Sequence, residues 1–516
     1  MSGLGRNVVM KFGGASLGDG ERIRRVAEII EAHAAEVATV VVVSAMEGIT
    51  DSLLQAAAAA SRGESDTWTE LGEIIRERYI QACDQVVPSA ERPAVRAKLD
   101  LELARLKNFC TGFALIQELT PRSLDALSSI GEVMSASLVA ATLRDRGMEA
   151  EAVDAVELLV TDEAFGQADL LFEPSKDQVQ RRLRPLLSRG VVPVVTGYRA
   201  ATLEGICTTL GRGSSDYTAT ILGTALQSDQ IQIWTHVDGM MTADPRLVAD
   251  AQVVPALSYR EAAELSFFGA RVLHLKSLDL PSAAGIPVWI KSSFHPSSQG
   301  TRIGGPQPGR PGVRAIASIS DAGMFTITGD RAMPHGRLAS LVLGWLGADR
   351  IQTLVVTQSS AENVISFAVD GREAGRVRAR LEREWSWSGE GHLISKVEEL
   401  PDVGVVVAVG EGVRATPGIA ARLFGALASV DINVLAIAQG SSEVSISLLV
   451  NAADVSSAVA AVHREFALST AHPAQAHLES HESGEVAPIT TRLSETDRGS
   501  TATPGQLGLG AGERIS

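Results

Sequence analysis

Short apolar runs alternate with amphipathic helical segments along the first 300 residues of the chain. The runs have strand length, and the segments between them space their apolar residues as one face of a helix would. The predicted strands are residues 8–12, 39–44, 149–153, 191–196, 230–235 and 287–292. Such alternation is typical of a mostly parallel sheet covered by helices, so we predict an α/β domain over residues 6–299.

The segment 67–118 differs from this pattern because it is long, charged and helical, with few β-branched runs. We interpret it as a helical insertion after the second strand, and none of its residues suggests chemistry.

The pattern of predicted strands and helices changes after a Gly- and Pro-rich stretch at 300–312, which we predict to be a linker. Residues 313–390 predict a β-β-α-β-β module, and residues 400–467 repeat its core and add a final helix. The strands expected in the two repeats are 313–320, 324–329, 352–358, 364–369, 403–409, 433–439 and 444–450, and the helices are 336–345 and 418–429. Residues 468–516 lack apolar periodicity and are predicted to be a disordered tail.

Composition narrows the class of protein. With 516 residues and 45% hydrophobic residues, the chain can bury the cores of two or three domains. A net charge of −15 argues against nucleic acid or an anionic membrane as the main partner. Three cysteines without metal or disulfide spacing, no signal-peptide pattern and no apolar run beyond strand length predict a cytoplasmic protein without a membrane span.

Two glycine-rich signatures carry the candidate chemistry. In the first, Lys11 ends a strand and is followed by Gly13 and Gly14, so that backbone N–H groups and one ammonium could meet phosphate oxygens. The second, residues 209–217 (TLGRGSSDY), places Arg212 and Asp216 beside a glycine turn that opens a helix. A guanidinium suits a substrate carboxylate and a carboxylate suits an ammonium, so the pair predicts phosphate transfer onto a small amino acid.

Other motifs follow in a specific order. They are SAMEGITD at 44–51, SIGE at 129–132, WTHVDG at 234–239, TADPR at 242–246 and FGARVLH at 268–274. Together with the two glycine signatures, this set resembles the aspartate kinases of the amino-acid kinase superfamily over about residues 6–466.

The resemblance implies a fold and an activity. It implies a three-layer amino-acid kinase sandwich with a mostly parallel sheet, followed by two α+β ferredoxin-like ACT modules. It further implies ATP-dependent phosphorylation of the L-aspartate side-chain carboxylate, with Mg²⁺ bound to ATP and no metal site of the protein's own. Such a reaction depends on positioning and charge neutralisation, because the attacking carboxylate is already ionised.

The resemblance also assigns residues. The catalytic set is Lys11, Arg212 and Asp216. The aspartate-binding set is Ser44, Ala45, Thr50, Glu132, Arg212 and Ser215. The ATP-binding set is Lys11, Gly13, Gly14, Thr235, His236, Met241, Asp244 and Arg246. Simpler roles compete with some of these: Lys11 and Glu132 could be solvated surface residues, and Ser16, Thr50 and Ser215 could cap helices.

Three positions depart from the family pattern: His236 replaces an aspartate, Leu275 a proline and Ala15 a threonine. A neutral imidazole cannot supply a carboxylate's charge, although Asp238 and Asp244 could compensate. We expect an active kinase, and the alternative is a weakly active or inactive amino-acid sensor derived from one. Kinases of glutamate, acetylglutamate, carbamate or uridylate lack this motif set, and no dinucleotide motif of a fused homoserine dehydrogenase follows residue 470.

The ACT resemblance implies regulation by an amino acid, with threonine as the first candidate and lysine as the second. Gln358 and Gln439 occupy corresponding positions in the two repeats and are the expected effector contacts. Alternatively, both amides satisfy backbone groups where ACT modules pair. Pairing of this kind also implies a homo-oligomer.

Overall fold

The structure is a computed structural model that describes residues 6–211, 213–270, 273–305, 312–330, 336–359, 362–387, 394–439 and 444–469. The described residues belong to one compact unit. Arg212 and nearly all of the predicted tail lie outside the described residues.

The N-terminal part of the chain, residues 6–305, is built on an eight-stranded sheet. Its strands lie in the order β3-β5-β2-β1-β8-β10-β11-β9 and are parallel except for the β10–β11 pair, while β4, β6 and β7 form a separate small sheet. The strands are β1 (Asn7–Phe12), β2 (Ala38–Val43), β3 (Ala150–Val153), β4 (Val160–Thr161), β5 (Val192–Thr196), β6 (Arg199–Thr202), β7 (Cys207–Thr209), β8 (Gln230–Thr235), β9 (Ala256–Ser258), β10 (Val288–Ser292) and β11 (Thr301–Gly304). The six predicted strands are confirmed to within one residue at each end.

Helices cover both faces of this sheet, as the alternating side chains of β1 require. Val9 packs into the apolar cluster on one face, and Met10 and Phe12 pack into the cluster on the other, which confirms the three layers. The helices are α1 (Gly20–Ala34), α2 (Ile49–Ser61), α3 (Ser65–Val86), α4 (Arg92–Ile116), α5 (Pro121–Ser128), α6 (Ile130–Asp145), α7 (Phe172–Ser188), α8 (Ser215–Leu226), α9 (Tyr259–Leu265) and α10 (Asp279–Ala284).

Two features of these helices bear on the sequence predictions. Helices α3 and α4 are the predicted insertion after the second strand, and both pack against α2. The stretch 121–145 is long and apolar enough to cross a membrane, but most of it is buried inside the protein, as in a core helix.

The C-terminal part, residues 312–469, forms one antiparallel sheet of six strands in the order β13-β14-β12-β15-β17-β16. Its elements are β12 (Ala315–Gly329), α11 (Arg337–Ala348), β13 (Thr353–Ser359), β14 (Val364–Asp370), α12 (Gly371–Trp387), β15 (Ile394–Val409), α13 (Ile419–Ala428), β16 (Ala436–Ala438), β17 (Ser445–Asn451) and α14 (Val455–Glu465).

The strand predictions for this part were wrong in places. The two strands expected at 313–320 and 324–329 are one strand, β12, whose register with β15 shifts between Ile319 and Met324. The polar residues at 320–321 look like a turn in sequence, but they mark only this irregularity. Strand β15 is likewise longer than the predicted 403–409, β16 is shorter than 433–439, and α12 was not predicted.

The segment expected to be a linker, 300–312, is partly structured. Residues Thr301–Gly304 form β11, which pairs antiparallel with β10 and extends the first sheet. Beyond it the two parts are in contact: the carboxylate of buried Glu261 lies 3.3 Å from Arg314 and accepts a hydrogen bond from the Glu411 backbone (2.8 Å). Gly269 has a φ of 119°, and a Cβ there would lie 2.7 Å from the Ser318 carbonyl oxygen, so only glycine fits this close approach to β12.

Candidate active site

Lys11 and Asp216 form a buried ion pair where β1 ends and α8 begins. The Lys11 ammonium lies 2.6 Å from a carboxylate oxygen of Asp216, and the two residues are 9% and 6% exposed. A Cβ on Gly13 would lie 3.3 Å from the ammonium, so this glycine leaves the lysine room. Lys11 is therefore not a solvated strand-end lysine, and its partner fixes its position.

The glycine turn after Lys11 departs in one respect from the expectation. Gly13 was expected to offer its N–H to phosphate, but that N–H donates to the Trp234 carbonyl oxygen (3.2 Å). Gly13 therefore contributes through its lack of a side chain, which leaves space for the Lys11 ammonium. Gly14 allows a close backbone approach, because a Cβ there would lie 2.9 Å from the Ala45 carbonyl oxygen.

Ser16 does not cap a helix. Its hydroxyl lies 2.7 Å from that of Ser293, which follows β10, and helix α1 is capped instead by Asp19. This hydrogen bond connects the glycine turn to the C-terminal end of β10.

The residues expected to surround aspartate, which we call the acceptor pocket, come from several elements. They are Ser44, Ala45, Thr50, Glu132 and Ser215. Ser44 donates its N–H to the Phe12 carbonyl oxygen (3.1 Å), which holds the start of this loop beside the end of β1.

Thr50 and Ser215 do not cap their helices. Thr50 is the second residue of α2, whose N-cap is Gly48, so Thr50 is not a cap. Ser215 is the first residue of α8, after the N-cap Ser214, and a Cβ on Gly197 would lie 2.5 Å from its hydroxyl oxygen. Ser215 is therefore packed closely against the turn that contains Gly197.

Glu132 is the most unusual ionisable group of the pocket. It is 3% exposed, and its Oε2 atom has no hydrogen-bond partner among the described residues. Burial raises the pKa of Glu132 to about 7, although hydrogen bonds from the Ala45 and Glu132 backbones lower it. A Cβ on neighbouring Gly131 would lie 2.6 Å from the Ala45 Cβ, so Glu132 and Ala45 lie side by side. The positive charge of Arg199 also lowers this pKa, but the Arg199 guanidinium donates its hydrogen bonds to Asp154 and Ser129. A buried carboxylate oxygen without a hydrogen-bond partner among the described residues suits a substrate ammonium.

The nucleotide segment, which we define as residues 235–246, follows β8, and its His236 and Arg246 side chains are exposed. Thr235 ends the strand, and His236 is exposed with its ring nitrogen 3.4 Å from the Thr235 hydroxyl. Met241 pairs with Val253 in an isolated bridge.

The two carboxylates that could compensate for His236 are already paired with other side chains. Asp238 lies 2.8 Å from a ring nitrogen of His295. Asp244 lies 2.6 Å from the guanidinium of Arg246, whose hydrogen bond keeps the pKa of Asp244 below its usual range. Arg246 is bound to its own loop, and its side chain is otherwise 87% exposed. No group of three or more His, Cys, Asp or Glu side chains in the described ranges could hold a metal ion.

Comparison with known proteins agrees with this geometry. The family model described as "Amino acid kinase family" matches residues 6–292, and an ACT domain model matches residues 406–466. Aspartokinase 3 of Arabidopsis thaliana, a chloroplastic protein, is 35% identical over 473 residues, which cover 89% of this chain and 81% of the relative. The chain belongs to the aspartokinase family.

Other relatives of this aspartokinase-family chain are larger. The bifunctional aspartokinase/homoserine dehydrogenase of Haemophilus influenzae is 32% identical over 88% of this chain but only 56% of the relative. The chain thus spans about half the length of the bifunctional relatives that it matches. Among solved structures, E. coli aspartokinase III in complex with aspartate and ADP superimposes with a TM-score of 0.78 at 29% identity, covering 89% of this chain and 99% of that one.

Two residues of the helical insertion contact the site, although the sequence of the insertion suggested no chemistry. The buried Tyr79 hydroxyl donates to the Gly131 carbonyl oxygen (2.9 Å) and accepts from the Met46 N–H (3.3 Å). Arg78 donates to the carbonyl oxygens of Glu47 (2.6 Å) and Gly18 (3.1 Å). Helix α3 therefore joins the loop of Ala45 to the helix of Glu132, and no sequence signal identifies these partners in advance.

Two further polar groups hold the framework behind the pocket. Arg199 forms a two-pronged ion pair with Asp154 (2.9 and 3.0 Å) and donates to Ser129 at the start of α6 (2.8 Å). Asp125 accepts from the Gly166 N–H (2.8 Å) and from the hydroxyl of Thr209 (2.6 Å), shortly before the second glycine turn. The sequence alone does not predict the hydrogen-bond partners of Arg199 and Asp125.

Gln358 and Gln439 lie at the ends of the outer strands of the C-terminal sheet. Gln358 is in β13, Gln439 follows β16, and both side chains are exposed. Strands β13 and β16 occupy opposite positions in the strand order but contact each other. Their role as effector contacts stays a prediction.

Proposed function

We propose that this protein phosphorylates the side-chain carboxylate of L-aspartate with ATP, giving 4-phospho-L-aspartate and ADP. The observation that carries the proposal is the buried Lys11–Asp216 pair together with Glu132, a buried carboxylate in the same site whose Oε2 atom has no hydrogen-bond partner among the described residues. Membership of the aspartokinase family and the likeness to the aspartate- and ADP-bound E. coli enzyme support it.

The proposed reaction needs no proton transfer. A carboxylate has a pKa of about 4, so the attacking oxygen is ionised at neutral pH. That oxygen forms a bond to the γ-phosphorus while the bond to the β,γ-bridging oxygen breaks, and the bond electrons leave with ADP. The barrier arises from bringing two anions together, so positioning and fixed positive charge are the means of catalysis.

Each charged group then has one task. The ammonium of Lys11 neutralises charge on the transferring phosphoryl group, and Asp216 keeps the ammonium in place. Glu132 binds the substrate ammonium, and Arg212 would bind a substrate carboxylate. A dry site strengthens all of these interactions, because little water competes with them.

MgATP enters this proposal as the second substrate. Thr235, His236 and Met241 would contact the nucleoside, and Arg246 the phosphates. For that contact Arg246 exchanges its bond to Asp244 for one to phosphate, and its long, largely exposed side chain is free to do so. Mg²⁺ would arrive on the nucleotide and be held by phosphate oxygens.

We also propose feedback regulation, in which threonine or lysine binds at paired ACT modules near Gln358 and Gln439. The exposed position of both amides and the ACT match at 406–466 support this proposal. Pairing of modules between chains would make the protein a homo-oligomer. The product would enter biosynthesis of the aspartate family of amino acids, in the cytoplasm.

Acyl phosphate trapping tests the proposed activity. Purified protein with MgATP, L-aspartate and hydroxylamine should form aspartyl hydroxamate, whereas L-glutamate should form much less. The competing sensor hypothesis, motivated by His236, predicts that aspartate binds without release of ADP. Such a result would overturn the kinase proposal.

Inhibition assays test the regulatory proposal. Millimolar threonine or lysine should inhibit the enzyme, and Gln358→Ala and Gln439→Ala should weaken that inhibition, because each removes an amide that can donate and accept. If neither amino acid inhibits, the effector assignment fails. If inhibition is intact in both variants, the effector binds elsewhere.

A further inference from the structure

The nucleotide segment is attached to the C-terminal part of the chain. Thr242 and Ala243 are buried, and Ala243 belongs to the same apolar cluster as Leu423 and Val459 of the second ACT module. The Thr242 carbonyl oxygen accepts a hydrogen bond from the Ile316 N–H of β12 (2.8 Å). The segment therefore shares a core with the module instead of merely touching it.

One side-chain bond reinforces this attachment. His463 lies in the last turn of α14, is 2% exposed, and has its Nε2 atom 2.9 Å from the Thr242 hydroxyl oxygen. The same hydroxyl oxygen accepts the Gln252 N–H (2.9 Å). Its second lone pair can accept from Nε2, but the hydroxyl hydrogen then has no acceptor among the described residues, so we assign this hydrogen to the bond with Nε2. Nε2 then acts as the acceptor, which requires a neutral ring. Burial lowers the pKa of His463 and favours that neutral form, although nearby Asp250 acts in the opposite direction.

We propose that His463 is a positioning residue for MgATP: by accepting the hydrogen bond of Thr242, it holds the nucleotide segment in its binding geometry. This inference rests on the proposed kinase function. Met241 and Asp244 flank the Thr242–Ala243 pair, so a shift of Thr242 displaces residues expected to contact the nucleotide. The second ACT module thus supplies part of the support of the nucleotide site, through a residue that touches neither substrate.

Loss of the His463–Thr242 hydrogen bond should affect nucleotide binding and not aspartate binding. Lys11, Asp216 and Glu132 lie on β1, α8 and α6, none of which contains the nucleotide segment. Losing the hydrogen bond leaves a buried hydroxyl without its acceptor and loosens the segment, while the acceptor pocket stays intact. Nucleotide affinity should therefore change, and aspartate affinity should not.

The test compares His463→Leu with His463→Gln in the full chain. Leucine removes the acceptor at similar volume, whereas glutamine keeps a polar acceptor at similar reach. We expect His463→Leu to raise the KM for MgATP and the Kd for ADP, measured by calorimetry, about tenfold, a difference of about 1.4 kcal/mol. The KM for aspartate should stay within about twofold, and His463→Gln should recover most of the nucleotide affinity.

Other outcomes have defined meanings. Equal changes in both KM values, or a lower melting temperature with unchanged ADP affinity, would overturn the proposal. If His463→Leu does not fold, Thr242→Val tests the same bond from the other side. Thr39→Val is the matched control, because Thr39 is a buried threonine that donates to the Val37 carbonyl oxygen at the start of β2, whereas the nucleotide segment follows the end of β8. Because ADP binding needs no turnover, failure of the kinase proposal is separately visible as absence of acyl phosphate.

Discussion

The acceptor side and the nucleotide side of the site differ in burial and in how their charges are held. On the acceptor side, Lys11, Asp216 and Glu132 are almost completely buried. Lys11 pairs with Asp216, whereas the Oε2 atom of Glu132 has no hydrogen-bond partner among the described residues. On the nucleotide side, His236 and Arg246 are exposed, and Arg246 binds a carboxylate of its own loop.

This difference has a physical consequence. Buried charges cannot reorient cheaply, so the acceptor side is organised before the substrate arrives. Exposed charges exchange partners at little cost, so the side chains of His236 and Arg246 can rearrange around the ligand while the backbone of the segment stays anchored. Substitutions should therefore cost most on the acceptor side.

The largest effect is expected for Lys11→Ala. Removing the ammonium that pairs with Asp216 should lower kcat/KM by about 10²–10³-fold, about 3–4 kcal/mol of transition-state stabilisation. Hydroxamate formation measures it, and Lys98→Ala on the exposed face of α4 is the control. Unchanged turnover in Lys11→Ala would remove this lysine from the mechanism.

The next largest effect is expected for Glu132→Gln. A hydrogen bond to a charged group contributes about 1.5–3 kcal/mol, so the KM for aspartate should rise about 10- to 100-fold while the KM for MgATP stays nearly constant. Steady-state kinetics with each substrate varied separately checks this. Glu102→Gln is the matched control, because Glu102 is also buried but pairs with Arg105 in the insertion. Equal changes in both KM values would contradict an acceptor-side role.

A smaller effect is expected for Tyr79→Phe. Loss of the hydroxyl frees the Met46 N–H and the Gly131 carbonyl group, so the pocket loop separates more easily from α6. We expect a loss of about 1–2 kcal/mol in the free energy of unfolding and a several-fold higher KM for aspartate. Tyr259→Phe, which removes one hydrogen bond to the Ile286 carbonyl oxygen, should lower stability without changing that KM. The same rise in KM in both variants would show a general effect of stability.

The smallest effect is expected for His236→Asp. A carboxylate at this exposed position should lower the KM for ATP or raise turnover by a few-fold, because screening limits what one exposed charge contributes. The KM for aspartate should not change. A selective effect on aspartate would mean that this loop belongs to the acceptor side.

Sequence patterns predicted the first sheet and most of the charged residues of the site. Parallel strands buried on both faces form continuous apolar runs, so β2 and β5 are visible in the sequence. The partners of these residues could not be predicted. Tyr79 lies on a helix whose pattern reports only its own packing, and the continuous β12 depends on pairing with β15, some 80 residues away in sequence.

The pH dependence of aspartate binding follows from Glu132. Burial raises its pKa to about 7, so the empty pocket holds a proton at lower pH. The substrate ammonium favours the ionised carboxylate and lowers that pKa, so binding releases the proton. Aspartate affinity should therefore rise as the pH increases from 6 to 8 and then level off.

Calorimetry of aspartate binding without nucleotide, repeated in buffers of different ionisation enthalpy, tests most directly whether the acceptor side is organised in advance. With a pKa of about 7, the protein should bind aspartate at pH 7 and release about half a proton per site. Glu132→Gln should release none. If aspartate does not bind without nucleotide, or if the wild type and Glu132→Gln release equal numbers of protons, the acceptor side is not organised in advance around Glu132.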